Sequence, residues 1–169
     1  MKLSQKIVDK VIAEVVGEDA LSLVKALKGK KNVSEFKLTE TIGRQINETR
    51  NILYRLYHQN LVMFTRKKDK KKGWYIYYWT FNPKRIKFLF IDMRKKRIEY
   101  LGERLERETQ THFYACQNKC MRLDFEQATN FSYKCPECGE LMNLEDNVER
   151  IGAIKEEIKN LKKEVKSVE

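Results

Sequence analysis

The sequence SEFKLTETIGRQINETRNILYRLYHQ at residues 34–59, followed by LVMFTRKKDKKKGWYIYYWTF at residues 61–81, carries the clearest indication of how this chain folds. Its first part predicts two helices, Ser34–Ile42 and Glu48–Gln59, because apolar residues recur at helical spacing on either side of Gly43. Its second part predicts two strands, Leu61–Arg66 and Trp74–Phe81, which are rich in aromatic and β-branched residues.

Helix, turn, helix and hairpin in this order are the elements of a winged helix-turn-helix, which we expect to occupy residues 1–82. Two amphipathic segments before it, residues 5–16 and 19–27, predict two more helices that pack beneath it. We expect Asp19, Ser34 and Asn47 to cap the helices that follow them, since side chains of these types accept hydrogen bonds from unpaired N–H groups.

The helix at 48–59 occupies the place of the helix that enters the major groove in winged helices that read DNA. We expect its interior positions to be Ile52, Leu53, Leu56 and Tyr57, and its outward positions to be Glu48, Thr49, Arg50, Asn51 and Arg55. The outward set is only mildly basic, and it places an acidic residue where a phosphate would approach. The sequence therefore favours a protein-docking or structural role for this helix over groove reading.

Positive charge is concentrated in the hairpin and just after it. The chain of 169 residues has a net charge of +11, and residues 61–100 alone carry thirteen Lys or Arg against three Asp or Glu. Cations beside aromatic side chains suit unstacked bases and their backbone. The residues predicted to face nucleic acid or a polymerase are Arg66, Lys67, Lys68, Lys70, Lys71, Lys72, Trp74 and Tyr75.

A second interpretation of the hairpin is purely structural. Lysines keep strand edges soluble, and aromatic residues favour strands because they pack well. We expect Ile76, Tyr78 and Trp79 to fill the core for this reason. For Trp74 and Tyr75, beside the tip, both interpretations stay open.

Two long helices are predicted in the second half. Asn82 and Pro83 suit the start of a helix over 84–109, within a connecting segment that we assign to residues 83–110. Residues 143–169 predict a C-terminal amphipathic helix capped by Asn143, with an apolar stripe from Val148 to Val168. Its stripe predicts either a cover for the helix at 84–109 or a docking face for a partner helix.

Four cysteines in two close pairs predict a metal site. Cys116 and Cys120 are followed by Cys135 and Cys138, and tetrahedral zinc bound by four thiolates closes such a ribbon, here residues 111–142. The first pair has three intervening residues instead of two. His112 remains a possible substitute for one sulfur. We expect one structural zinc and a small core of Phe113, Tyr114, Phe125, Phe131 and Tyr133.

Several classes of protein are disfavoured. No apolar run is long enough to cross a membrane, and the N-terminus lacks the pattern of a signal peptide, so we expect a cytoplasmic protein without a membrane partner. There is no phosphate-binding glycine loop and no nucleophile elbow, and neither His58 nor His112 has a catalytic neighbour in the sequence. We therefore expect no enzymatic activity. The predicted fold class is α+β and mostly helical.

Three blocks of sequence carry a resemblance to a known family: TRNILYRL at 49–56, GWYIYYW at 73–79 and CPECG at 135–139. With the order winged helix, long helix, zinc ribbon and C-terminal helix, the chain resembles the alpha subunit of archaeal transcription factor E. That family is similar to the large subunit of eukaryotic general transcription factor IIE. The first cysteine pair departs from the family pattern by one residue.

The resemblance implies a basal transcription initiation factor in the cytoplasm of an archaeal cell, associated with the nucleoid. Such factors bind the clamp and stalk of RNA polymerase, assist DNA melting and stabilise the open complex with the non-template strand. The wing would lie beside unpaired DNA or the clamp, and the ribbon would contact polymerase or the TATA-binding protein in the promoter complex. A smaller beta subunit would use the amphipathic helices.

The alternative function is a winged-helix DNA-binding repressor with a cysteine metal-sensing module. It requires a groove-reading helix and is usually a dimer on palindromic half-sites. The mild charge of the helix at 48–59 disfavours it, whereas the long helix offers a surface for dimerisation.

Overall fold

The computed structural model describes residues 4–70 and 73–168 of this mostly helical α+β chain. Two members of the predicted basic tip, Lys71 and Lys72, lie outside the described residues. The chain divides into two compact units, the first ending at Asp92 and the second beginning at Met93.

Four helices form most of the first unit. Apolar residues at helical spacing put one face of each helix into a common core. The largest fully buried aliphatic side chains of the four helices are Ile12, Leu23, Leu27, Leu38, Ile52, Leu53 and Leu56. The helices are α1 (Gln5–Val15), α2 (Ala20–Leu27), α3 (Glu35–Ile42) and α4 (Ile46–His58).

The predicted caps of these helices had mixed outcomes. Ser34 caps α3 as predicted, since its hydroxyl accepts a hydrogen bond from the N–H of Lys37 at 3.3 Å. The prediction for Asp19 was wrong, because its side chain forms an ion pair with Arg55 and makes no capping bond. The prediction that Asn47 caps α4 was also wrong, since the helix begins one residue before it.

The burial of α4 differs from the prediction at two positions. Thr49, expected to face outward, is completely buried, and its hydroxyl donates to the Gln45 carbonyl at 3.0 Å. Three and four positions separate it from Ile52 and Leu53, so the helical repeat places it on their face. Tyr57, expected inside, is 41% exposed at the edge of that face.

The helices pack against a three-stranded antiparallel sheet in the order β1-β3-β2. The hairpin strands β2 (Val62–Lys68) and β3 (Tyr75–Phe81) were predicted, although β2 starts one residue later and ends two residues later than expected. The short strand β1 (Val33–Ser34), which pairs with β3 opposite Trp79 and Tyr78, was not predicted.

One face of β3 provides the contact between sheet and helices. Trp79 is 1% exposed, and its ring meets the edge of Tyr54 from α4 at a centroid distance of 6.1 Å. The prediction that Trp79 belongs to the core is confirmed, whereas Ile76 and Tyr78 are half-buried. Exposure rises toward the tip of the hairpin, and Tyr75 is 51% exposed.

The long helix α5 runs from Lys84 to Gln110, within one residue of the predicted end, and its later part belongs to the second unit. There it pairs with α7 (Val148–Val168) through an apolar cluster that includes Leu101, Ile154 and Leu161. Of the two roles considered for the C-terminal helix, this contact supports that of a cover for the long helix.

Ion pairs flank this helix pair and show that it is antiparallel. Arg94 meets Glu164 at 2.7 Å, and Arg97 meets Glu157 at 2.9 Å. Asn143 does not cap α7, because it lies in a strand and the helix starts five residues later. The cap is Asp146 instead, whose carboxylate accepts from the N–H of Val148 at 3.0 Å. Val148 was assigned to the apolar stripe but is 70% exposed.

The remainder of the second unit is a small sheet with one short helix. Its core comprises Cys116, Leu123, Ala128, Cys135 and Met142, with Tyr114 and Tyr133 packed against it. The predicted core members Phe125 and Phe131 are about half exposed. The elements are β4 (Phe113–Cys116), β5 (Arg122–Asp124), α6 (Phe125–Asn130) and β6 (Met142–Leu144), with sheet order β5-β4-β6.

The unpredicted helix α6 explains the exposure of the two phenylalanines. A capping box starts it, in which Asp124 accepts from the N–H of Gln127 and the Gln127 side chain accepts from the N–H of Asp124. The helical turn directs Ala128 into the core and leaves Phe125 at the surface. Among the described residues, no helix is long and apolar enough to cross a membrane.

Candidate metal centre and candidate nucleic-acid interface

The four cysteines meet at one point of the second unit. All four sulfur atoms lie within 4.8 Å of one another, and those of Cys116 and Cys138 are 3.4 Å apart. Four thiolates at the zinc–sulfur bond length around a tetrahedral ion would be separated by about 3.8 Å. The cluster therefore fits one zinc ion with four sulfur ligands, and a metal bound there would cross-link the two loops that carry the pairs.

The two cysteine loops close in the same way despite their different spacing. In each, the N–H of the first cysteine donates to the carbonyl five residues later, from Cys116 to Met121 at 3.0 Å and from Cys135 to Glu140 at 2.8 Å. Each loop contains one left-handed residue. Lys119 (φ 57°) precedes the second cysteine of the first loop, whereas Gly139 (φ 77°) follows that of the second. This exchange of order accommodates the extra residue between Cys116 and Cys120.

The thiols differ in how readily they lose a proton. The backbone N–H of Glu140 and the side chain of Asn118 lower the pKa of Cys138 to about 7. Hydrogen bonding to Cys138, with burial, raises the pKa of Cys120 to about 12, and burial raises the pKa of Cys116. Cys138 therefore loses its proton more readily than Cys116 or Cys120, and a metal ion that binds must displace the protons of those two thiols.

His112 is not a member of the sulfur cluster. The metal-ligating groups that come together among the described residues are the four cysteines alone. His112 precedes β4 and is exposed. Four protein ligands leave no open coordination position, which is the arrangement of a structural zinc site.

A buried polar network joins the small β4–β6 sheet to the helix pair within the second unit, and no pattern in the sequence indicated it. Glu108, 5% exposed, accepts two hydrogen bonds from Arg122, at 3.1 and 2.7 Å, and one from Asn147 at 3.0 Å. Arg122 also bonds Glu145, which in turn meets Arg150 at 3.0 Å. No motif marks these residues, because Glu108 is one of several acidic residues on α5.

Opposing effects act on the carboxyl group of Glu108. Burial acts to raise its pKa, but hydrogen bonds from Arg122 and Asn147 outweigh burial and hold the pKa below its ordinary value. Glu108 is therefore ionised at neutral pH, as a partner of Arg122 must be.

The hairpin of the first unit exposes both cations and aromatic rings. Trp74 and Tyr75 are each 51% exposed. The guanidinium of Arg66 lies over the Tyr75 ring at 4.9 Å from its centroid, and the amine of Lys67 lies over the Tyr78 ring at 5.7 Å. Register explains these contacts, because Lys68 pairs with Tyr75 and places Arg66 diagonally across from that ring.

Two backbone hydrogen bonds close the base of the hairpin tip. The N–H of Asp69 donates to the Trp74 carbonyl at 2.8 Å, and the N–H of Gly73, at φ 76°, donates to the Asp69 carbonyl at 3.0 Å. Lys68 and Lys70 are exposed on this turn. The structure thus brings together six of the eight residues predicted for this surface, and the other two are not described.

Helix α4 uses its arginines within the protein. Arg50 makes two hydrogen bonds to Glu35, at 3.0 and 2.6 Å, and Glu35 is 2% exposed. These bonds raise the pKa of Arg50 further above its already high value. Arg55 donates to the Val16 carbonyl and to Asp19. The basic residues predicted to face outward on this helix are therefore already bonded to other parts of the first unit.

The fold and the cysteine cluster together define a mostly helical α+β protein with a site compatible with a zinc ribbon. The chain belongs to the TFIIE alpha subunit family, whose sequence profile matches residues 6–112. This is a family of general transcription initiation factors and not of enzymes.

Individual relatives match nearly the whole chain. Transcription factor E from Pyrococcus abyssi (strain GE5 / Orsay) is 33% identical over 166 residues, which are 98% of this chain and 87% of that protein. Transcription factor E from Thermococcus kodakarensis is 33% identical over 156 residues, covering 92% of this chain and 84% of that protein. The protein of that name from Methanococcus maripaludis is 30% identical over 164 residues, covering 96% and 94%.

Proposed function

We propose that this chain is a basal transcription initiation factor that binds RNA polymerase at the promoter, assists DNA melting and stabilises the open complex. The observation that carries the proposal is the hairpin of the first unit, where exposed aromatic rings stand among cations. Membership of the TFIIE alpha subunit family supports it, because the family acts in transcription initiation.

The architecture proposed for this role has four parts. Residues 1–82 form a winged helix-turn-helix with β2 and β3 as its wing, and residues 83–110 form a connecting helix. Residues 111–142 form a zinc ribbon, and residues 143–169 form a C-terminal amphipathic helix. The order of elements supports this division, as does the pairing of β1 with β3, which ties the base of the wing to the start of α3.

The wing is proposed to meet unpaired DNA of the non-template strand, or the polymerase clamp beside it. Bases released from a duplex expose their faces, and an aromatic side chain stacks on any base without reading its identity. The guanidinium of Arg66 already lies over the ring of Tyr75. A base that stacked beside this ring would therefore have a cation close to its own phosphate. Lys67, Lys68 and Lys70 supply further charge along the backbone path.

The cysteine cluster is proposed to hold one structural zinc. Cys116, Cys120, Cys135 and Cys138 would bind the ion, which would cross-link the two loops and stabilise a ribbon whose own core is small. The ribbon is proposed to contact the polymerase stalk or the TATA-binding protein. A smaller beta subunit is a further proposed partner, on the amphipathic helices.

Permanganate footprinting of a promoter bubble tests the role of the wing. Reactions contain polymerase and its basal factors with no added protein, the zinc-loaded chain, or a variant in which Lys70, Lys71, Lys72, Trp74 and Tyr75 are alanine. We expect the intact chain to increase thymine reactivity in the bubble and the variant to lose most of that increase.

A matched control distinguishes the effect of the wing residues from the effect of a lower net charge. Replacing Lys155, Lys162 and Lys163 of α7 by alanine removes the same three positive charges from an exposed helical surface. This control should melt the promoter as well as the intact chain does. Equal activity of the wing variant would refute the proposed role of the wing.

The repressor alternative makes a different prediction. It requires the intact chain to protect isolated duplex DNA and to leave the bubble unchanged in the presence of polymerase. The engagement of Arg50 and Arg55 within the first unit disfavours it, because these side chains would have to leave Glu35 and Asp19 to reach a groove.

A further inference from the structure

The second unit contains a pocket that the proposed function does not use. It has a volume of about 280 Å³ and lies between the last turns of α5 and the edge of the β4–β5 hairpin. Three arginines line it, Arg104 and Arg107 from α5 and Arg122 from β5, together with the rings of Tyr100 and Phe113.

Two of these arginines have no partner within the unit. The two carboxylates in the lining are already engaged, since Glu108 bonds Arg122 and an oxygen of Asp124 accepts from the N–H of Gln127. Within residues 4–70 and 73–168, Arg104 and Arg107 form no ion pair and no side-chain hydrogen bond. They are three positions apart on α5, so their side chains emerge on the same face.

The surplus of arginine is a local feature of this pocket. Residues 93–167 carry fifteen Lys or Arg and fourteen Asp or Glu, so the unit as a whole is close to neutral. The basic excess of the chain lies instead at residues 61–100. Two unpaired guanidinium groups in a concave site of a nearly neutral unit indicate a specific anionic ligand. They do not indicate long-range attraction of anions by a surface of high net charge.

The lining favours a carboxylate over a phosphate. Three arginines and two carboxylates leave the lining with a net charge of +1. One singly charged carboxylate neutralises that charge completely, whereas a phosphate monoester at about −1.5 to −2 would leave excess negative charge in the site. Guanidinium groups bind carboxylates through paired hydrogen bonds.

The aromatic rings and the volume of the pocket limit the class of ligand further. Tyr100 is 49% exposed, and Phe113 already has one cation, Arg122, 3.7 Å from its ring centroid. A volume of 280 Å³ equals about nine water molecules of liquid at roughly 30 Å³ each. This space accommodates one acidic side chain with an adjoining apolar side chain.

We propose that this pocket is a docking site for an acidic segment of a partner protein. One carboxylate of the segment binds Arg104 and Arg107, and a neighbouring aromatic or aliphatic residue packs against Tyr100 and Phe113. The site uses no residue of the wing, so it stands or falls independently of promoter melting by the wing.

Nuclear magnetic resonance titration of the full zinc-loaded chain tests this proposal. The probe is a capped peptide of glycine, glutamate, phenylalanine, glutamate and glycine, and its control replaces both glutamates by glutamine. We expect the acidic peptide to shift the side-chain N–H signals of Arg104 and Arg107 and the backbone N–H signals of these two residues and Phe113. The neutral peptide should leave all of these signals in place.

Variants identify the groups responsible. Changing Arg104 and Arg107 to glutamine should weaken peptide binding about tenfold or more, because the loss of one charge-assisted hydrogen bond accounts for that factor. Changing Lys155 and Lys162 to glutamine removes the same charge from α7 and should leave the affinity unchanged. Zinc content and melting temperature verify that each variant is folded.

Three outcomes would overturn the proposal: no shift at the pocket with millimolar acidic peptide, equal shifts with the glutamine peptide, or equal affinity in the arginine variant. Inorganic phosphate and oligothymidylate provide two further arms. Stronger shifts at Arg104 and Arg107 with either of them would assign the pocket to phosphate or nucleic acid and refute the choice of a protein partner.

Discussion

Replacing Glu108 by glutamine tests the buried network of the second unit. Glutamine preserves the size of the side chain but removes its charge and one of its two acceptor oxygens. Arg122 then loses one of its two hydrogen bonds to this position and faces an amide N–H₂ group where the second oxygen stood. The bond from Asn147 is lost or must compete for the remaining oxygen.

The expected loss of stability depends on how deeply Glu108 and Arg122 are buried. Removing one member of a fully buried ion pair costs about 3–5 kcal/mol. Arg122 has 23% of its side chain exposed and keeps Glu145 as a second partner, so the cost here should be smaller. We expect a loss of about 2 kcal/mol, within the range for leaving a buried polar group poorly paired. For a unit of this size, that loss lowers the melting temperature by about 10 °C.

The assay compares thermal unfolding of the zinc-loaded chain with that of two variants, Glu108→Gln and Glu103→Gln. Glu103 lies on the same helix but is exposed and makes no ion pair among the described residues, so its replacement removes the same charge without breaking a bond. Hydrogen exchange should locate the loss of protection in the ribbon and the helix pair.

The dependence on pH supplies a second readout. The folded pKa of Glu108 lies below its ordinary value of 4.5, so ionisation of this group favours the folded state. Its contribution is fully present above that ordinary value and is lost as the pH falls through the lower folded pKa. The stability difference between the intact chain and Glu108→Gln should therefore be constant near neutrality and shrink below about pH 4.5. Equal melting of the two variants, or a difference that does not shrink in acid, would refute this account of the network.

Two further predictions concern the cysteine cluster and helix α4. Changing Cys138 to serine should abolish zinc binding, measured as metal content, and increase hydrogen exchange over residues 113–141 while the first unit keeps its protection; loss of protection throughout the chain would show that the two units do not fold independently. Changing Arg50 to alanine should cost about 3 kcal/mol in urea unfolding, because it leaves Glu35 buried and unpaired. Changing Arg55 should cost only about 1 kcal/mol, since its ion pair with Asp19 is largely exposed, and equal losses in the two variants would contradict this ranking.

Local features of the sequence predicted most of the secondary structure. Ser34 caps α3 because the hydroxyl reaches an N–H only three residues away, and Pro83 lies next to the start of α5 because its ring favours the first turn of a helix. The hairpin strands were equally recognisable from their composition. The strand β1 was missed because two residues carry no periodic signal, and only their pairing with β3 makes them a strand.

Three cap predictions failed because of contacts and helix boundaries that the sequence does not show. Asp19 and Asn47 have suitable side chains, but Asp19 bonds Arg55, which is distant in the sequence, and α4 begins one residue before Asn47. Asn143 pairs with Ala115 and is therefore part of strand β6. A polar side chain takes the best partner that the folded chain offers, and the sequence does not show which partner will be near.

The candidate sites divide in the same way. The cluster of four cysteines was predicted because two close cysteine pairs at this separation are typical of a zinc site. The exchange of order between the left-handed residue and the second cysteine in the two loops was visible only in the backbone. The pairing of Glu108 with Arg122 crosses fourteen residues and follows no motif.

Six of the seven helices of the described residues, the hairpin with its cations and aromatic rings, the four cysteines and the family could all be recognised in the sequence alone. These depend on periodicity, composition and short spacings, which act within a few residues of the chain. The tertiary structure was needed to show that Thr49 is buried and that Arg50 and Arg55 bond within the first unit. It was also needed to show that Arg104 and Arg107 line a pocket without an ion-pair partner among the described residues. The partner of a charged group, and hence its availability for binding, depends on packing between segments that are far apart in the sequence.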